Sequence, residues 1–180
     1  FLLEHEDLAC TLTDLNAAGK LPLRVTHNDT KINNVLFSSK DHSALVVIDL
    51  DTVMPGLMGH DFGDAIRFAA NRCEEDCKDP AKAGVDMDVF RAFTEGFLEC
   101  TGKTMTKEEA DTLAVSCFCL TAELATRFLG DYLEGDPYFN TLYPEHNLVR
   151  TRCQIALAKD MLARRDEMER IVRECLDAQK

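Results

Sequence analysis

The chain has 180 residues, 46% apolar and 29% charged, enough for one buried core in an ordinary globular protein. Its 32 acidic against 20 basic side chains leave a formal net charge of −12, so the surface repels nucleic-acid phosphates and anionic lipid. That excludes non-specific nucleic-acid binders and basic membrane-surface proteins. It leaves open a phosphorylated small molecule, which responds to local charge and to any bound metal.

Residues 2–18 read as one amphipathic helix, with Leu8, Leu12 and Leu15 at helical spacing and Gly19 placed to end it. The helical pattern starts at once from Phe1, so a preceding segment is expected. Two short β-prone runs, 23–26 and 35–37, flank a polar loop. Ala44 to Ile48 is a compact apolar strand that reads as buried, with residues 40–43 as its leading turn. Residues 54–59 look like a flexible turn with Gly56 and Gly59.

Beyond this point the chain is helical. Residues 61–71 form a short helix, and 86–100 form another with Phe90, Phe93 and Phe97 on one side. Thr106 with Glu109 makes a capping box that opens a long helix to about residue 134, where Gly135-Asp136-Pro137 stops it. Residues 148–178 make a last, densely charged helix. A few strands followed by a helical majority predict an α+β, mostly helical fold with the strands gathered near the chemistry. No signal peptide and no apolar run of spanning length is apparent, so a cytoplasmic location is expected. The eight cysteines (Cys10, Cys73, Cys77, Cys100, Cys117, Cys119, Cys153, Cys175) have no C-x-x-C spacing and read as reduced thiols.

The polar loop carries the chemistry. Asp29 and Asn34 lie five residues apart on it, Asp49 directly follows the apolar strand, and Asp51 comes two residues later. Carboxylates at strand ends reach a cleft from a rigid backbone. Phosphoryl transfer needs such groups: one to orient a hydroxyl and accept its proton, others to hold Mg²⁺ through hard oxygens.

His27, Asp29 and Asn34 spell H-x-D-x-x-x-x-N, which resembles the catalytic loop of aminoglycoside phosphotransferases, choline kinases and, more distantly, protein kinases. Val46-Val47-Ile48-Asp49 resembles the metal-binding strand that follows. Segments 26–37, 46–56 and 59–71, with 126–129, 136–139 and 146–148, are most similar to the N-acetylhexosamine 1-kinase branch. The resemblance implies the C-terminal lobe of a protein-kinase-like fold over 1–180: catalytic loop 24–37 with a short strand hairpin, metal-binding strand and turn 44–56, helical subdomain 61–178.

It implies ATP and Mg²⁺ as cofactors, Asp29 as catalytic base, and Asn34 and Asp49 as metal ligands. His27 and Asp64 would support the loop, Asp64 through backbone hydrogen bonds. Phe68, Arg127 and Tyr138 would meet an amino sugar, although core packing explains Phe68 and Tyr138 equally well. Arg127 lies within an apolar pattern and either pairs with a structural carboxylate or points at sugar oxygens. Asp51 is a second metal ligand or a turn residue, and Lys31 approaches the phosphoryl group or is solvated. Asp61-Phe62-Gly63 spells the protein-kinase metal tripeptide, but it opens a helix, which leaves Asp61 as an N-terminal helix carboxylate.

A Gly-rich phosphate loop is absent from the sequence, so the nucleotide-binding N-terminal lobe is expected to lie outside it. The 180 residues are then expected to fold but to be inactive alone. Phosphorylation of choline, ethanolamine, homoserine or an aminoglycoside, and a non-catalytic pseudokinase, are the competing readings. No nucleic-acid or membrane partner is expected, and the oligomeric state is left open.

Overall fold

The computed structural model describes residues 1–179. A 3₁₀ turn at Leu3–His5 leads into α1 (Glu6–Ala9) and α2 (Thr11–Ala17), so the expected single helix breaks at Cys10. Gly19, at φ +71°, ends this unit in the left-handed region that glycine adopts without steric cost. Four short strands follow: β1 (Arg24–Thr26), β2 (Val35–Phe37), β3 (Ala44–Val47) and β4 (Met54–Gly56). They make two separate antiparallel pairs, the β2–β3 hairpin and β1 with β4. Residues 54–56 are therefore a strand and not a flexible turn. An added Cβ on Gly56 would collide with Thr26 Oγ1, so only glycine lets β4 lie this close to the loop.

The apolar strand β3 is not buried. All four of its residues are exposed, Leu45 at 65%. Its β-branched composition gives an extended strand, but nothing among the described residues covers it.

The helical body comprises α3 (Met58–Ala69), α4 (Met87–Thr101), α5 (Lys107–Leu133), α6 (His146–Ala163) and α7 (Arg165–Asp177). Asp86 caps α4 by accepting from the backbone N–H of Asp88 (3.0 Å) and Val89 (3.1 Å). Thr106 and Glu109 form the capping box of α5, with Glu109 N donating to Thr106 Oγ1 (3.2 Å) and Thr106 N to the Glu109 carboxylate (2.8 Å). The expected last helix is two, divided at Arg164.

By length and composition α5 is apolar enough to cross a bilayer, contrary to the sequence expectation. Here that apolar content faces the core, where Leu113 and Cys117 pack with Phe62, Ile66, Leu157 and Met161 from α3 and α6. Gly63 permits the closest approach, since a Cβ there would sit 2.5 Å from the Ser116 carbonyl oxygen. Phe62 also stacks edge-on against Phe90 and Phe97 of α4, with ring centroids 6.1 and 5.1 Å away. The result is a mostly helical body with two small antiparallel strand pairs, compatible with a kinase-like fold. All eight cysteines are thiols, with Cys10 and Cys100 exposed.

Candidate active site

The loop after β1 is held from below by α3. Asp61 accepts the backbone N–H of His27 at Oδ2 (2.9 Å) and of Asn28 at Oδ1 (2.8 Å). Its own carbonyl accepts the Thr30 hydroxyl (2.7 Å), and Asp64 Oδ2 accepts the Thr30 N–H (2.8 Å). Two carboxylates one helical turn apart thus take up three consecutive-region N–H groups that the loop cannot pair within itself. The clamp lets Asn28 hold φ +62°, a left-handed conformation that asparagine tolerates better than most residues.

From the other side Thr52 Oγ1 donates to the His27 carbonyl (2.6 Å), and Asn28 Nδ2 donates to the Thr52 carbonyl (3.0 Å). His27 reaches the end of β3, with Nε2 3.1 Å from the Ile48 carbonyl.

Asp64 is itself anchored. Arg67, buried on the same helix, donates to Asp64 Oδ1 from Nε (3.0 Å) and Nη2 (2.8 Å), and to Glu75 from Nη1 (2.6 Å). Burial alone would lower the guanidinium's proton affinity. The two carboxylates outweigh it and raise its pKa, so it stays charged.

Asp29 is the reactive-looking group on the clamped loop. Its Oδ2 accepts from Lys31 Nζ (2.8 Å) and Asn34 Nδ2 (2.9 Å), and its carbonyl accepts from the same Asn34 amide (2.9 Å). No hydrogen bond within the described residues falls on Oδ1. Partial burial pushes the Asp29 carboxyl upward, but the Lys31 and Asn34 hydrogen bonds prevail and hold it below the ordinary aspartate value. It is therefore ionised at neutral pH with one oxygen unengaged. Lys31, read as solvated or as approaching a phosphoryl group, is paired with Asp29; that pairing raises its pKa despite partial burial.

Asn34 spends both amide protons on Asp29, which fixes the amide orientation and leaves Oδ1 as its free acceptor. Its backbone carbonyl accepts the Ile48 N–H (2.9 Å), so the loop and the end of β3 are joined one residue before Asp49. Asp49 is exposed, at φ +62°, and Asp51 lies in an exposed 3₁₀ turn, Leu50–Thr52. No group of three His, Cys, Asp or Glu residues among the described ones could hold a metal alone. Asn34 Oδ1 and the exposed Asp49 carboxylate are hard oxygens of the type that Mg²⁺ takes one or two of from a protein, completing its shell with phosphate and water.

A cavity of about 730 Å³ opens beside this loop, and Asp29, Lys31, Phe68, Arg127 and Tyr138 all line it. The expected substrate residues therefore share one cavity with the expected base. Arg127 departs from expectation in one respect: it is not on a buried face. Its side chain is 47% exposed, 3.6 Å from Glu123, and lies over the rings of Tyr138 (5.8 Å) and Phe139 (5.4 Å). Tyr138 is 74% exposed at the rim, so core packing does not explain it.

Sequence reasoning missed Asp61, Arg67, Thr30 and Thr52. The i,i+3 spacing of Asp64 and Arg67 was a usable signal on a helix. Asp61 was hidden by its resemblance to the metal tripeptide. In the fold Asp61 braces the loop, Phe62 fills the core and Gly63 admits α5.

Residues 2–93 match the family model described as the phosphotransferase enzyme family, APH, and the chain belongs to that family. It is a kinase-type phosphotransferase in class, and family members typically use ATP and Mg²⁺ on small molecules. The matched stretch takes in the clamped loop, Asp49, α3 and Phe68, whereas Arg127 and Tyr138 lie beyond it.

Proposed function

We propose that this chain is the C-terminal lobe of an ATP- and Mg²⁺-dependent kinase that phosphorylates the anomeric hydroxyl of an N-acetylhexosamine. The observation that carries the phosphotransfer reading is Asp29: ionised, locked through Oδ2, and with Oδ1 unengaged beside a cavity. Oδ1 orients the sugar hydroxyl and takes its proton as the hydroxyl oxygen bonds to the transferred phosphorus and ADP departs. Lys31 keeps Asp29 in place and adds a positive charge beside the site. Asn34 and Asp49 hold Mg²⁺, which neutralises phosphate charge when bound.

The amino-sugar reading rests on Phe68, Arg127 and Tyr138, which offer an apolar wall, a cation and a phenol to a neutral ring. The loop end also carries exposed apolar side chains, Val25 at 83% and Leu50 at 58% among them. We take that surface as the seat of the nucleotide-covering lobe.

The test is ATP turnover by the complete kinase on N-acetylglucosamine, N-acetylgalactosamine, choline, ethanolamine, homoserine and an aminoglycoside. Turnover confined to the N-acetylhexosamines supports the proposal. Turnover of an amine with none on any hexosamine overturns the substrate, and none on any compound overturns the kinase reading.

A further inference from the structure

On leaving α5 the chain turns back against the helix's own last turn. Gly135 (φ +90°) and Asp136 (φ +58°) both take left-handed backbone, and the Asp136 N–H donates to the Asp131 carbonyl (2.8 Å). The loop that follows supplies Tyr138, Phe139 and Asn140 to the wall of the cavity beside Asp29.

Asp131, buried on that last turn, fastens this loop. Its Oδ1 accepts the Tyr138 N–H (2.9 Å), and its Oδ2 accepts the Phe139 N–H (3.0 Å) and Asn147 Nδ2 (2.8 Å). Asn147, fully buried on α6, also donates from Nδ2 to Asp136 Oδ1 (2.8 Å). Arg150 Nη1 bridges Asn147 Oδ1 (3.0 Å) and the Asn140 carbonyl (3.1 Å). The loop is thus tied at residues 136, 138, 139 and 140.

Tyr138 depends on this fastening. It is 74% exposed, and its ring meets the Phe139 ring (centroids 4.9 Å apart) and the Arg127 guanidinium (5.8 Å). A side chain this exposed is placed by its backbone more than by packing around it. Phe139 has a further hold, the Phe128 ring at 4.6 Å. Asp131 does not itself line the cavity.

We infer that Asp131 is a positioning residue of the substrate site: it sets the backbone of Tyr138, and so the place of the phenol against the sugar. The inference rests on the amino-sugar proposal above, which puts Tyr138 on the sugar. Every partner of the Asp131 side chain is an N–H donor. An asparagine there keeps the size but turns an NH₂ toward a donor whichever way its amide lies, so the Tyr138–Phe139 backbone must shift.

The test is steady-state kinetics of the complete kinase as wild type, Asp131→Asn, Tyr138→Ala and the double variant, varying N-acetylglucosamine and ATP in turn. Asp131→Asn should raise the sugar KM roughly ten- to a hundredfold, while kcat and the KM for ATP hold. A merely structural role would lower the active fraction, and with it kcat, and leave both KM values unmoved. Tyr138→Ala should also raise the sugar KM. Adding Asp131→Asn to it should then change little, because no phenol is left to misplace. Should Asp131→Asn misfold, Asp136→Gly removes the Asn147 link at a φ that glycine adopts freely, and should give the same split with a smaller rise.

A sugar KM that stays put in the folded variant overturns the inference while the amino-sugar proposal stands. So do effects that multiply in the double variant, or a Tyr138→Ala kinase with an unchanged sugar KM. If the complete kinase turns over an amine and no hexosamine, the amino-sugar proposal falls, and the same kinetics on that amine decide the role of Asp131. Absence of turnover on any compound removes the kinase reading and this role with it.

Discussion

Asp61→Ala is the sharpest probe of how the loop is built. The substitution removes the acceptor for the His27 and Asn28 N–H groups at 2.9 and 2.8 Å, while the Asp61 backbone still accepts from Thr30. Hydrogen bonds to a charged group contribute roughly 1.5–3 kcal/mol each. His27 and Asn28 are half-buried, so water recovers part of that, and a net loss of about 3 kcal/mol is expected. For a domain of this size that lowers the melting temperature by about 6–12 °C.

Asp61→Asn keeps one acceptor oxygen and should lose about half as much. Because Asn28 sits in a strained conformation held by this clamp, the loop should also relax and kcat should fall in the complete kinase. Thermal melts of the purified protein and steady-state turnover are the assays. A melting temperature within about 2 °C of wild type, with unchanged kcat, would refute the clamp.

Lys31→Met tests the electrostatics of Asp29. Burial raises that carboxyl and Lys31 and Asn34 lower it, so losing Lys31 should move the acid limb of kcat/KM to higher pH. The stability sign follows. A carboxyl depressed by folding stabilises above its unfolded value of about 3.9 and stops doing so as pH falls through its lower folded value. Acid unfolding should therefore be less steep without Lys31, and an acid limb that stays put or moves down would contradict the assignment.

Gly63→Ala should destabilise by roughly 2–3 kcal/mol, since its Cβ would meet the Ser116 backbone at 2.5 and 2.8 Å, whereas Gly96→Ala meets open space on α4 and should stabilise by about 0.5–1 kcal/mol. Urea titration of both variants checks the pair, and equal effects would mean that the α3–α5 approach is looser than described.

Local chemistry carried much of the fold in the sequence itself. Thr106 with Glu109 announced α5, because a capping box needs only residues three apart, and the spacing of Phe90, Phe93 and Phe97 announced α4. Asp29 and Asn34, singled out by the H-x-D-x-x-x-x-N spacing, are in contact because the 3₁₀ turn Ile32–Asn34 brings them together over five residues.

What was not legible depends on distant partners. The run Ala44 to Val47 has the composition of a buried strand, but burial depends on what packs against it, and composition does not encode that. The breaks at Cys10 and Arg164 lack the glycine or proline that would mark them. Asp61 braces residues more than thirty positions away, and nothing in its immediate neighbours distinguishes that from an N-terminal helix charge.

The central claim is that Asp29 is the base of a phosphotransferase. Its most direct test is single-turnover phosphoryl transfer from ATP to N-acetylglucosamine by the complete kinase, wild type against Asp29→Asn. The asparagine keeps the size of the side chain and an oxygen for Asn34 but cannot take up the proton. The chemical step should slow by roughly two to four orders of magnitude while the melting temperature stays close to that of wild type. A single-turnover rate unchanged in a folded Asp29→Asn enzyme would contradict the claim outright.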